Sequence, residues 1–280
     1  MSTDFQTARV ALGARLRELR TEARLNGKEL AARLGWQPSK ISRIENGKQT
    51  PSLDDLEAWV AAVQRPDAIA ELRGRLNGLE SQYRSWRRQL SGGHRARQEI
   101  GATELSRTRQ VRGLETDCIP GLFQTPDYAR HMFLRLSDFR QSPVDTDEAA
   151  RSRIKQQSAL YEPGRKFRFL IWEGALHVRF CPDDVLAAQL DRLAGIIGLD
   201  TVDLGIIPLS APLRLTPAHG FWIYDERLVI VETINAELWL DDTHNIALYQ
   251  RAWDWLAGSS VHGSQAQQLI ARTARSLSRS

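Results

Sequence analysis

The chain has 280 residues, 42% hydrophobic and 26% charged, enough for two domains of ordinary globular composition. With two cysteines, Cys118 and Cys181, no signal peptide and no apolar run near the ~18 residues of a membrane span, it reads as a soluble cytoplasmic protein without structural disulfides. The net charge of +4 hides an asymmetry: residues 1–112 carry 21 basic and 13 acidic side chains and residues 113–280 carry 17 and 21, so the N-terminal part is the one suited to phosphate.

Val10, Leu12, Leu16, Leu19, Ala23 and Leu25 recur at helical steps and predict an amphipathic helix over 7–24. Asn26 is a good N-cap for a second helix with Leu30, Ala31 and Leu34 inward, and Gly35 allows the left-handed conformation of a sharp turn. Pro38 suits the first position of a third helix, since the amide it lacks would be unpaired there. Ile41 and Ile44 then face the core and leave Gln37, Ser39, Lys40, Ser42 and Arg43 outward. Asn46-Gly47-Lys48 closes this helix, and Ser52 with Asp55 forms a capping-box pattern for a fourth, whose apolar face is Leu53, Leu56, Trp59, Val60 and Val63. Five compact helices are complete near residue 75.

From there Ile69, Leu72, Leu76, Leu79, Tyr83, Trp86 and Leu90 alternate steps of three and four, an a/d seam that serves either self-dimerisation or packing on the rest of the chain. Gly74 and Gly78 each cost an isolated helix about 1 kcal/mol against alanine. Ser91-Gly92-Gly93 breaks the seam, a helix is expected over 102–116, and the two prolines of Ile119–Arg130 mark a turn before another helix. Residues 145–160 also read as helix. Strands are expected at 167–173, 202–208, 221–224 and 228–234, the last two as a hairpin, with an edge strand at 237–240. Helices at 185–197, 243–257 and 264–277 complete an α+β domain. The division is thus an all-α helix-turn-helix domain at 1–75, a helical linker at 76–112 and an α+β domain at 113–280.

The segment Leu25–Pro51 resembles the phage-repressor (XRE-like) helix-turn-helix, in Leu30-Ala31, Gly35, Ile41–Gly47 and Pro51. The rest of the chain is similar to actinobacterial regulators that fuse this head to an antitoxin-like C-terminal domain. The matching landmarks include Pro120-Gly121-Leu122, Gln124-Thr125, Tyr128-Ala129-Arg130, Trp172-Glu173, Gln189-Leu190, Ile207-Pro208, Gly220-Phe221, Val231-Glu232-Thr233 and Tyr249. The resemblance implies a transcription regulator, a homodimer on an inverted repeat, whose partners are double-stranded DNA and a small protein encoded nearby. It also implies that Ser39, Ser42 and Arg43 read bases, Arg43 being able to donate to guanine O6 and N7 together. Gln37 stands at the helix start, within reach of base or phosphate. Gly27, Lys28, Lys40, Asn46 and Lys48 are the phosphate contacts, and Arg20 with Glu45 matches an internal salt bridge. Gly27 departs from the repressor pattern, which places glutamine there; its amide at a helix N-terminus still suits a phosphate.

Catalytic chemistry is not expected. No histidine begins a His-Glu-x-x-His motif, Ser152 and Lys155 have acyl-serine spacing without companion motifs, and His177 and Cys181 lack a second ligand pair. Trp222, Trp239, Trp253 and Trp255 read as core in preference to a ligand cage. No catalytic residue, metal or cofactor is assigned. The competing functions are an antitoxin-like neutraliser with autoregulatory DNA binding and a small-molecule-sensing repressor.

Overall fold

The computed structural model describes the backbone of residues 4–277 and the side chains of these except 4–7, 77, 79–83 and 88. The chain divides into two compact units, residues 1–83 and 84–280.

The first unit is a set of five helices: α1 (Asp4–Glu22), α2 (Gly27–Leu34), α3 (Pro38–Glu45), α4 (Leu53–Ala62) and α5 (Ile69–Gln82). Local chemistry sets their ends. Asn26 and Ser52 form capping boxes with Glu29 and Asp55, and Gly35 ends α2 at φ 64°. The core is made of Leu12, Leu16, Leu19, Leu30, Ile41, Ile44, Leu56 and Trp59, each at most 2% exposed, joined by Leu72 and Leu76 of α5. Two glycines permit the closest contacts. A Cβ on Gly13 would lie 2.5 Å from the Ile44 carbonyl, so only glycine lets α1 press on α3. Gly47 has φ 61° and packs against Val10, where a Cβ would meet the Val10 side chain at 2.8 Å.

The 69–90 seam is not one helix. α5 stops at Gln82, a short strand β1 (Tyr83–Ser85) follows, and a single turn α6 (Trp86–Gln89) carries the chain on. Leu72 and Leu76 are consumed by the head's own core, while Trp86 and Leu90 are buried in the second unit, where the Trp86 indole donates to the Thr233 carbonyl at 2.8 Å. The Leu79 and Tyr83 side chains lie outside the described residues. Among the described side chains of the seam, Leu72, Leu76, Trp86 and Leu90 are each buried within the chain itself, and two different cores use them.

The second unit is α+β. α7 (His94–Ser106) precedes strand β2 (Gln110–Glu115), α8 (Pro126–Arg140), α9 (Thr146–Gln156), β3 (Lys166–Trp172), α10 (Asp183–Ile196), β4 (Val202–Ile207), β5 (Phe221–Tyr224), β6 (Leu228–Glu232), β7 (Ala236–Leu240), α11 (Thr243–Ala257), β8 (Val261–His262) and α12 (Gly263–Leu277). The sheet order is β1-β7-β6-β5-β2-β3-β4-β8, with β2, β3 and β4 parallel and β5, β6, β7 and β8 joined antiparallel. Alternation along β3 sends Phe167, Phe169 and Ile171 to the face shared with α10 and α12, and Leu170 to the face shared with Trp253 and Leu256 of α11.

Two expectations are corrected. Residues 110–115 are a central strand, not the end of a helix: Val111 and Leu114 are buried on opposite faces, and the partners come from residues 166–171 and 221–224. Gly113 is forced by one of them, because a Cβ there would overlap the Phe169 ring. The 236–240 strand is flanked by β6 and β1 and so is not at the edge.

Candidate nucleic-acid interface

The turn between α2 and α3 is built so that one face of α3 goes inward and the other stays wet. Ile41 and Ile44 are 2% and 1% exposed, whereas Gln37, Ser39, Ser42, Arg43 and Asn46 are all exposed. Positions 39, 42 and 46, and 39, 43 and 46, recur at steps of three and four and form one stripe along the helix and its C-cap. Gln37 precedes Pro38 at the N-cap without a side-chain capping bond.

The stripe is held in place by its neighbours. Asn46 Nδ2 donates to the Ser42 carbonyl at 2.7 Å, and its Oδ1 accepts from Arg17 Nη2 at 2.7 Å. Arg43 Nε donates to Gln49 Oε1 at 3.0 Å, which orients the guanidinium and leaves its terminal nitrogens for another acceptor. Beneath the helix, Glu45 is 6% exposed in its side chain and takes Arg20 Nε at 2.6 Å, Arg20 Nη2 at 3.0 Å and Arg17 Nε at 3.1 Å. Arg20 also donates to the Leu25 carbonyl at 2.7 Å, so the pair ties α1, the α1–α2 turn and α3 together. The carboxylate beside it raises the Arg20 pKa above its ordinary value.

The other assigned residues fall into two groups. Lys28 and Lys48 are exposed, and the Gly27 amide opens α2 beside an Asn26 side chain that already holds the amides of Lys28 and Glu29. Lys40 is turned away from the stripe: its Nζ lies 2.6 Å from Asp55 Oδ1 on α4 and 3.7 Å from the Trp36 ring centre. A phosphate role for Lys40 requires breaking that ion pair. Arg17, half exposed at the C-terminal end of α3, is a cation that no α3 pattern could have indicated, because it arrives from α1.

Among the described residues of the second unit, the groups with catalytic or ligand spacing do not come together. Ser152 and Lys155 share α9 with no hydrogen bond between them among the described residues. His177 Nε2 lies 3.3 Å from the Thr273 hydroxyl, and Cys181 packs against the apolar core. Trp239 and Trp253 are core at 6% and 2% exposed, Trp255 is 36% exposed beside Arg214, and Trp222 is half-buried with its indole donating to Glu115 at 2.7 Å. The Gln124-Thr125 landmark is a buried hub: Gln189 donates to the Phe123 carbonyl at 2.9 Å and accepts from the Thr125 amide at 2.7 Å.

A family model described as a domain of unknown function, DUF5753, matches residues 98–272. The chain belongs to the DUF5753 family. Ahead of the DUF5753 region, a helix-turn-helix domain model matches residues 11–72, which covers the α2–α3 turn. No curated protein matches the sequence. Among solved structures, NucT from Helicobacter pylori is similar at TM-score 0.36 and 10% identity, over 61% of this chain and 93% of that one. TrmBL2, an archaeal chromatin protein whose structure is described as showing a novel mode of DNA binding, is similar at TM-score 0.32 and 12% identity, over 85% and 88%. Likenesses this loose carry no argument about the DUF5753 unit or the head.

No helix among the described residues is long and apolar enough to cross a membrane.

Proposed function

We propose that the chain is a sequence-specific DNA-binding transcription regulator that places α3 in the major groove. The observation that carries this is the exposed stripe Ser39, Ser42 and Arg43 on a helix pinned from behind by Ile41, Ile44 and Glu45. A rigid helix with short hydroxyl side chains and one orientable guanidinium is what base-edge contact requires. Exposed Lys28 and Lys48, the Gly27 amide and Arg17 border the stripe and supply phosphate contacts that fix register without reading sequence.

One head contacts few base pairs, so two chains on an inverted repeat, their recognition helices about 34 Å apart, are the working assembly. Control enters through the DUF5753 unit by a small protein partner; the resemblance supports this, as do its most exposed large apolar side chains, Phe139, Val144 and Ile234 at 66%, 72% and 78%.

Sedimentation of the chain with a selected duplex tests the assembly, with two chains per duplex expected. In the same system Lys48→Ala should weaken all duplexes alike and lower the slope of log affinity against log salt by about one. One chain per duplex, or an unchanged slope, would remove the dimer or the phosphate assignment respectively.

A further inference from the structure

We propose that the DUF5753 unit binds a small monocarboxylic acid with an apolar body in a partly open cavity, seating the carboxylate on Arg153. The cavity has a volume of about 190 Å³ and is walled by α7, the end of β2, the Gly121-Leu122 turn, α8, α9 and strands β5 and β6. A cavity of roughly 150 Å³ suffices for benzene, so this one suits a molecule of benzoate size.

Two arginines stand in its wall, and they differ. Arg97 is paired with the fully buried Glu237, with Nε at 2.7 Å from Oε1. Arg153 has no carboxylate within ion-pair distance among the described residues. It has only neutral partners: its Nε donates to Gln98 Oε1 at 3.2 Å, its Nη1 to Gln124 Oε1 at 2.8 Å and towards the Met132 sulfur at 3.4 Å, and its guanidinium lies 4.2 Å over the Phe133 ring. Nη2 has no acceptor among the described residues. Burial works against the charge of this guanidinium and lowers its pKa. A half-buried cation with neutral hydrogen-bond partners and a spare donor edge is stabilised by an incoming anion, and the planar fork matches a carboxylate. Gly121 keeps the turn tight against it, since a Cβ there would stand 3.3 Å from Arg153 Nε.

The rest of the wall selects charge and shape. Burial pushes the Glu115 carboxyl up to about 8, and it accepts the Trp222 indole N–H at 2.7 Å. One guanidinium without a carboxylate partner, beside the carboxyls of Glu115, Asp117 and Glu232, disfavours a phosphate dianion more strongly than a monoanion. Leu105, Leu136, Phe221, Trp222 and Ile230 supply apolar surface for the body of the acid.

Ligand-observed saturation-transfer NMR on the full-length chain, without DNA, tests the site independently of the head's function. The probes are butyrate, benzoate and phenylacetate, with benzamide and phenylacetamide as neutral matches and benzylamine as the cation. At least one acid should bind, at least tenfold more tightly than its amide or the amine, and Arg153→Gln should weaken it at least tenfold while leaving the circular dichroism spectrum unchanged. Where Arg153→Gln does not fold, Leu136→Trp, which fills the cavity and leaves the arginine in place, decides by the same loss. The proposal is overturned if no acid binds at 10 mM, if the amide or the amine binds as well as the acid, or if the folded variant retains the wild-type affinity.

Discussion

Glu45→Ala isolates the interaction that holds the recognition helix at its angle. The carboxylate is 6% exposed and receives a bidentate pair from Arg20 and a third bond from Arg17. Removing one partner of a fully buried pair costs about 3–5 kcal/mol. Here Arg20 and Arg17 are 14% and 48% exposed, so water partly replaces the lost acceptor. The expected loss is therefore about 2–3 kcal/mol, or roughly 30- to 150-fold in the opening equilibrium. Native-state hydrogen exchange in the full-length chain reads this directly at the amides of Leu16 and Ile41, both buried mid-helix. The double variant Arg20→Ala/Glu45→Ala should lose less than the sum of the two single variants, since it leaves one guanidinium fewer unpaired. Exchange accelerated less than about twofold by Glu45→Ala would place the pair with exposed ion pairs and refute its structural role.

Gly13→Ala sets two effects in opposition: a gain of about 1 kcal/mol in helix propensity and an overpacking cost of about 1–3 kcal/mol where the new Cβ meets the Ile44 carbonyl. The clash should win and lower the urea midpoint of the first unit; a raised midpoint would contradict the close α1–α3 packing. His94 is 3% exposed and burial lowers its pKa from 6.5 to about 4, so the folded state favours the neutral ring. Its contribution is complete above pH 6.5 and is lost as pH falls from there through about 4. His94→Phe should consequently lose less melting temperature than the wild type between pH 6.5 and 4, and equal losses would remove His94 from the acid response.

What the sequence disclosed was chemistry local to a few residues. The caps at Asn26 and Ser52, the left-handed Gly35 and the inward Ile41 and Ile44 are decided within one or two turns, and each is found where pattern places it. β2 was hidden because its partners lie some 55 and 110 residues away, and because Val111 and Leu114 point to opposite faces as a buried central strand demands. The 69–90 seam shows the limit of periodicity: a three–four repeat marks side chains that will be buried without naming what buries them. The partners of Lys40 were hidden for a similar reason, since Asp55 reaches it from the next helix and Trp36 from the turn. At Asp145 the non-local logic runs the other way: its carboxylate accepts the amides of His94 and Arg95 at 2.9 and 2.7 Å and so caps α7 from a segment 50 residues distant. Arg153 looks in sequence like any polar residue on α9, and its want of a carboxylate exists only in the fold.

The base-reading assignment is the centre of this account, and selection of bound duplexes from a random pool by wild type and by Arg43→Ala tests it most directly. The wild type should enrich an inverted repeat containing a guanine that Arg43→Ala no longer prefers, with discrimination at that position reduced by about 1–3 kcal/mol. An unchanged preference in the variant, or enrichment of no sequence by the wild type, would contradict it.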